Sequence, residues 1–523
     1  MPVGEYTSVT TPSASDQALP IESRSGLDPW RTAHLPAPPD TRGLKIFSII
    51  GPGAILLGAS IGSGEWLLGP ATFVKYGMSL LWITLVAVFL QTVLNTEFIR
   101  YTLYTGEPAF TGFMRTRPHA AFWALFYAVC FFFQTGWPGW AGTGAGAIFY
   151  LFNGRVVTAG DAGAVYQIGA GTFLLCVFIL VFSGKRIERT LEILNWIMIA
   201  CILGGLSVLC VLFTGPRTWV SAVTGFAGFD WPSGRFNFIP EGADWFLLGA
   251  FAAYSGSGGV INITVANWVR DKGYGMGQVV GFIPAAVGGQ KVKLAHTGSI
   301  FEVTRERLLS WRGWWRIVQL DQWSVFFVGA LLGMVFPAML YTANLPAGRE
   351  IRGPAVATEL AGAMRVHGAA VTYFLALMGV WVLIKTQLDI MEGMVRAITD
   401  ILWSGSRRVR RWTGDDVRLV YYSVLGSVVV WGLIALRLTP PIILLQLGAN
   451  VAGFVCFFSA LHILRVNTTL LPEPLRPPLW RRVALIAAAV FYAFFVYLWL
   501  MGGIIPDPAK GFLFNLPKYL GGG

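Results

Sequence analysis

Apolar runs long enough to cross a bilayer recur from about residue 45 to near the end of this 523-residue chain. A helix needs about 20 residues to cross the hydrocarbon layer. Eleven runs reach that length, at 46–75, 78–104, 119–152, 164–184, 187–214, 243–269, 321–344, 369–402, 417–437, 440–464 and 481–504. They are continuous rather than alternating, so they predict helices and not the strands of a barrel. The expected fold is an all-α polytopic membrane protein. Composition agrees, because 13% of residues are charged and 55% apolar, whereas a soluble domain carries about 25% charge. A water-soluble enzyme is excluded.

Residues 1–44 are rich in Pro, Ser, Thr and Asp, lack hydrophobic periodicity and have no short apolar core of a signal peptide. They read as a disordered cytoplasmic tail. The rest divides into five spans over 45–214, five over 243–464 with a basic loop at about 270–320, an eleventh span at 481–504 and a tail at 505–523.

The formal charge of +12 forms no continuous patch or reading motif, so no nucleic-acid partner is expected. Cationic residues are retained on the cytoplasmic side of the cell membrane. With the amino terminus inside, most of the 39 Lys and Arg residues fall there, including Lys185, Arg186, Arg270, Lys272 and the run from Arg407 to Arg411. An odd number of spans then places the carboxyl terminus outside. In the long loop, Arg305, Arg307, Arg312 and Arg316 stand beside Trp311, Trp314 and Trp315, a mixture that suits a helix in the membrane interface serving as a topology anchor. Cys130, Cys176, Cys201, Cys210 and Cys456 all lie in apolar runs without C-x-x-C spacing, which indicates packing residues.

Two runs carry a Gly/Ser cluster near the middle: Gly58 to Trp66 in the first, with Gly62, Ser63, Gly64 and Glu65, and Ala253 to Asn262 in the sixth, with Ser257, Gly258 and Gly259. Glycine costs about 1 kcal/mol in a helix interior, so both helices are expected to break there. Breaks five spans apart point to an inverted 5+5 repeat and to a transport site between them. Freed backbone groups at membrane depth are tolerated only where they line a cavity or meet a ligand. Close packing of small residues is the plain alternative. Glu65 favours the site, since a mid-span carboxylate is costly and is held for an ion, a proton or a partner charge. Asn262, Thr264 and Asn267 offer neutral oxygens.

Other intramembrane charges are Glu97 with Arg100, spaced i, i+3, and Lys385, Asp389 and Glu392 on the eighth span. Both sets are expected as ion pairs, with a proton relay as the alternative. Gln387 and Gln446 are possible cavity residues. Paired aspartates, H-E-x-x-H, G-x-S-x-G and the ATP-binding G-x-x-x-x-G-K-[ST] are all absent, which leaves no enzyme or cofactor signature.

The sequence resembles the NRAMP divalent-metal transporters. The resemblance runs through Gly51-Pro52-Gly53, Gly64 and Trp66, Tyr76 to Trp82, Leu90-Gln91, Thr105-Gly106 and Leu445-Gln446-Leu447. It implies the leucine-transporter fold, broken first and sixth helices, and substrate contact by Gly62, Ser63, Gly64, Glu65, Ser257, Gly258, Gly259, Asn262 and Gln446. It also marks departures. The family's Asp-Pro-Gly-Asn-Trp stands here as Gly62 to Trp66, with Gly62 for the liganding Asp and Glu65 for the Asn, and its Met-Pro-His falls on Gly259-Val260-Ile261. Loss of the thioether removes the soft ligand that favours transition metals. The remaining all-oxygen set, with Glu65 as the metal ligand, suits a hard cation such as Mg2+. The expected function is secondary transport of a divalent cation by alternating access, with the bilayer and the transported ion as partners. The alternative is an amino acid or other small solute, its carboxylate held by exposed N–H groups of the first-helix motif.

Overall fold

The computed structural model describes residues 26–40, 43, 50–182, 187–281, 297–351, 358–414, 416–438 and 441–515, without the side chains of 159 and 187–192. Among them, ten helices are long and apolar enough to cross a membrane: Met78–Thr105, Ala120–Asn153, Ala162–Phe182, Ile193–Phe213, Trp245–Asp271, Arg305–Asn344, Ala369–Gly405, Val417–Leu438, Pro441–Thr469 and Leu479–Met501. These are the second to eleventh spans. The first, residues 52–76, is an unbroken helix of three pieces: an α-helix Pro52–Ser60, a π-helix Ile61–Leu68 and an α-helix Gly69–Tyr76. The chain is a multi-pass membrane protein. Large apolar side chains such as Phe152, Val211, Leu125, Val430 and Val490 face outward, as lipid-facing residues must. The described strands are two short pairs, one of them an antiparallel ribbon of Phe229–Asp230 with Arg235–Phe236.

The two Gly/Ser clusters behave differently. The sixth span breaks as expected, with α-helices Trp245–Tyr254 and Gly259–Asp271 flanking four non-helical residues. Gly256 and Gly258 take φ of +100° and +75°, where a side chain would be strained. The first span does not unwind, and the expected break is a change of winding: the Gly69 N–H reaches the Gly64 carbonyl, five residues back. Its glycines let neighbours close in on the backbone, and that packing keeps the segment helical. π-turns of this kind gather at functional sites. An interruption not foreseen lies in the third span, between helices Ala120–Thr135 and Gly139–Asn153, where Pro138 has no N–H to donate.

Two expectations, for the long basic loop and for the amino-terminal tail, are corrected. The helix Arg305–Leu320 is continuous with the seventh span through a π-helix at Asp321–Phe327. It is not an anchor lying free in the interface, because Trp311 and Trp314 are buried and the Arg100 guanidinium lies 4.1 Å from the Trp315 ring. Residues 26–40 of the tail are packed rather than disordered. Leu27, Trp30 and Leu35 are buried, and Arg31–Thr32 pairs in parallel with Ser299–Ile300. Apolar side chains spaced among the prolines give this segment something to bury. Residues 1–25, 41–42 and 44–49 of the tail, 282–296 of the loop, and Lys185 and Arg186 lie outside the described residues.

Glu107 fastens the segment. Its carboxylate accepts from Trp30 Nε1 (3.0 Å), Tyr101 Oη (2.6 Å), Gly298 N (2.8 Å) and Arg115 Nε (2.8 Å). Burial raises the Glu107 pKa, but the Arg115 charge and these hydrogen bonds outweigh it and hold the carboxyl below its ordinary value. A carboxylate depressed in the folded state contributes stability above its unfolded pKa of about 4.3 and loses it as pH falls through the lower folded value. Amide exchange of residues 26–40, corrected for intrinsic rates, should stay slow at pH 7 and rise sharply as pH drops below about 4. Arg115→Ala should release the segment already at pH 7, at a cost of about 3–5 kcal/mol for a buried pair broken on one side.

Candidate functional site at the crossing of the first and sixth spans

The π-helix of the first span meets the break of the sixth at van der Waals distance. A Cβ on Gly64 would lie 1.7 Å from the Tyr254 carbonyl oxygen, and one on Gly62 would lie 2.1 Å from Thr386 Oγ1 on the eighth span. Only glycine allows this approach. Ser63 is tied to the third span, its hydroxyl accepting from Trp140 Nε1 at 3.0 Å, and Ser257 Oγ donates to the Leu56 carbonyl at 3.1 Å. Gly62, Ser63, Gly64, Ser257, Gly258 and Gly259 thus stand together and shape the crossing.

Breaking the sixth helix frees backbone groups, and two glutamines answer them. Gln91 Oε1 accepts from Gly258 N and from Asn262 Nδ2, both at 3.0 Å, while its Nε2 donates to the Ser255 carbonyl and to Tyr492 Oη, both at 2.8 Å. Gln134, at the interruption of the third span, donates to the Gly258 carbonyl at 3.0 Å and accepts from Val260 N at 2.8 Å. Gly259 N donates to Cys456 Sγ at 3.0 Å. The N–H groups that open the second half-helix are all engaged.

Glu65 is the exception. It is fully buried on the π-helix, and neither carboxylate oxygen has a hydrogen-bond partner. Its Cγ lies where a Cβ on Gly333 of the seventh span would approach to 3.5 Å. Asn262 Oδ1 is also without a partner, because Gln91 takes the amide's other end. The crossing therefore presents unmet acceptor oxygens, one of them formally charged.

Other predicted residues lie elsewhere. Gln446 is half-exposed on the tenth span, and among the described residues no hydrogen bond joins its side chain to either helix; the tenth span meets the break through Ala452 and Cys456. Thr264 donates to the carbonyl of Val260 in its own helix, and Asn267 binds Asp400 at 2.5 Å. Gln387 Oε1 accepts from Ala141 N at 3.1 Å, between the third and eighth spans.

Of the remaining buried charges, Asp321 of the seventh span accepts from Gly51 N (3.1 Å) and Gly53 N (2.7 Å) of the first, and others form two networks. Glu97 pairs with Arg100 (2.8 Å) and also with Arg481 (3.0 Å) of the eleventh span, with Asn467 at 3.0 Å. On the eighth span Lys385 pairs with Asp389, but Glu392 pairs with Arg396 at 2.5 Å. Arg396 continues to Asp271 (2.7 Å), Asp271 to Arg270 (2.7 Å) and Arg270 to Asp400 (3.0 Å). Arg396, Asp400, Arg270 and Asp271 were not foreseen as a buried set, because in sequence they resemble topology charges at span ends. Gln134 was missed too, although a single amide in the middle of an apolar run is a signal of the same kind as Glu65.

No protein-family profile matches the chain, and none of the curated proteins matches it. Solved structures do. The manganese transporter of Eremococcus coleocola, in complex with an aromatic bis-isothiourea-substituted compound, is similar at 13% identity with a TM-score of 0.57, over 96% of this chain and 95% of that chain. The chain shares the fold of a manganese transporter. Two mutants of that transporter are similar at 12% identity and TM-scores of 0.57 and 0.58, each over 91% of this chain and 92% of that one. At such identities the likeness is one of fold.

The crossing can be tested glycine by glycine. Gly64→Ala should lower stability by about 3 kcal/mol or more through overpacking. Gly204→Ala, in the fifth span with nothing within 4 Å of a new Cβ, should be neutral or stabilising by roughly 0.5–1 kcal/mol. Gln134→Leu should cost about 1–3 kcal/mol by leaving the Gly258 carbonyl and Val260 N–H unpaired. Thermal melting of the purified variants reads all three.

Proposed function

We propose that the chain is a secondary transporter of the cell membrane that moves a divalent metal ion by alternating access, with Glu65 as its charged ligand. The observation that carries this reading is the buried Glu65 carboxylate without a partner. An uncompensated charge in the interior costs several kcal/mol, so the site calls for a positive charge. Backbone N–H groups, the requirement for an amino-acid carboxylate, are largely taken, and the Gly256 N–H within the break lies close to Glu65 itself. Those of the first span stay within a helix, and those opening the second half of the sixth go to Gln91, Gln134 and Cys456.

Glu65 and Asn262 Oδ1 are oxygen donors, the set a hard cation such as Mg2+ prefers, with water completing its shell. Among the described residues no group of three His, Cys, Asp or Glu is placed to hold a metal. A single carboxylate suits a cargo that must leave again. The likeness of fold to a manganese transporter supports the same class of cargo, and with no ATP-binding loop in the sequence the driving force is an ion gradient. The amino terminus is cytoplasmic and the carboxyl terminus external, on the distribution of Lys and Arg.

Glu65→Gln keeps the shape and removes the charge. Mg2+ or Mn2+ should raise the melting temperature of the purified wild type, in line with about 2.7 kcal/mol at a hundredfold excess over Kd, and should enter proteoliposomes. The variant should lose both responses while melting close to wild type without metal, because the amide keeps the side chain's shape. Metal uptake unchanged in Glu65→Gln would overturn the reading, as would stabilisation by amino acids alone.

A further inference from the structure

A groove opens on the outer surface between the third, eighth and ninth spans, with a volume of about 340 Å3. Its walls are Ile398 and Leu402 of the eighth span, Phe132 of the third, and Val420, Val424 and Val428 of the ninth. Ser423 and Ser427 also line it, but their hydroxyls donate to carbonyls of their own helix, at 2.7 and 2.9 Å. Along the ninth span the walls are thus apolar, and among the described residues the one buried donor left without a partner is Trp431 Nε1 at the far end, so the occupant must be apolar over most of the groove. The groove begins at Val409, Trp412 and Val420, where the eighth span has ended, and runs up to Trp431. The eleven helical steps from Val420 to Trp431 rise about 16 Å. Half of a hydrocarbon core about 30 Å thick is about 15 Å. The groove thus has the depth of one leaflet.

Its mouth is basic. The short helix Arg407–Trp412 lies across it, held down by Arg410 Nη1, which donates to the carbonyls of Trp403 (2.5 Å) and Ser404 (3.3 Å). Arg408 and Arg411 are exposed, and among the described residues neither guanidinium has an ion pair or hydrogen bond. Arg407 makes one exposed contact, to Asp28 at 3.3 Å. Trp412 is 67% exposed at the same level, where an indole ring favours the headgroup region. Clustered arginines just outside a span and a basic mouth between spans recognise anionic headgroups.

We propose that this groove binds one anionic phospholipid, its phosphate on Arg408 and Arg411 and an acyl chain lying along the ninth span as far as Trp431. The site is independent of the crossing at Glu65 and does not rest on the proposed transport function. It joins the end of the eighth span, which carries the Glu392–Arg396 pair, to the ninth, so an occupied groove braces that corner of the bundle.

The test is native mass spectrometry and thermal melting of the detergent-purified full chain, titrated with palmitoyl-oleoyl phosphatidylglycerol, the matching phosphatidylcholine, or glycerol phosphate. Phosphatidylglycerol should bind and stabilise, phosphatidylcholine should bind at least tenfold more weakly, and glycerol phosphate, which has the charge but no chain, should give no shift. Each arginine near an anionic surface is worth about a fivefold factor, so Arg408→Ala with Arg411→Ala should weaken phosphatidylglycerol binding about 25-fold. Val424→Trp, which fills the groove and leaves the arginines, should weaken both lipids together. Equal affinity for the two lipids, or unchanged binding in the double arginine variant, would overturn the proposal. So would a dimer that Val424→Trp dissociates without any change in lipid binding, since the groove would then belong to a second copy of the chain.

Discussion

A helix that stops bonding to itself inside a bilayer must find other partners for its backbone, and the core of this protein is arranged around that demand. The sixth span opens for four residues. Gln91 from the second span and Gln134 from the third close over them, each giving and accepting hydrogen bonds. Gln134 can do so because the third span is itself interrupted at Pro138, just beyond it. Two irregular helices thus stabilise each other, and the first span is drawn against them because Gly62 and Gly64 have no side chains to hold it off.

This arrangement leaves one thing undone. Every freed N–H at the opening of the second half-helix is bonded, yet neither Glu65 carboxylate oxygen nor Asn262 Oδ1 has a hydrogen-bond partner. Other buried charges are answered: Glu97 has two arginines, the ladder from Glu392 through Arg396, Asp271 and Arg270 to Asp400 alternates in sign, and Asp321 accepts from the Gly51 and Gly53 N–H groups. Against that background, a carboxylate with neither a counter-charge nor a hydrogen bond marks the place where a cation arrives from outside the protein.

Much of the fold was legible in the sequence because length and apolarity alone define a membrane span, and the predicted runs fall on the observed helices. The limits came where two effects compete. Glycine weakens a helix and also permits close packing. In the sixth span Gly256 and Gly258 adopt positive φ and the helix opens, while in the first Gly62 and Gly64 admit Thr386 and Tyr254 and the winding merely loosens. Composition cannot tell these apart, since the outcome depends on what packs alongside. Likewise Arg270, Asp271, Arg396 and Asp400 read as charges at span ends, and only the packed structure shows that they are buried and paired. Glu65 stood out from the start because a carboxylate in the middle of an apolar run has no structural excuse. Gln446 did not join it, since the resemblance marked the residue but not the depth at which the tenth span crosses the break.

The most direct measurement is anomalous diffraction from crystals of the protein grown with Mn2+, an oxygen-ligated stand-in for Mg2+ that is visible at its absorption edge. The expected result is a single strong peak within about 2.0–2.6 Å of a Glu65 carboxylate oxygen, lost in crystals of Glu65→Gln. A protein that binds Mn2+ only elsewhere, with Glu65 still buried and unliganded, would contradict the assignment of this carboxylate as the cation's ligand.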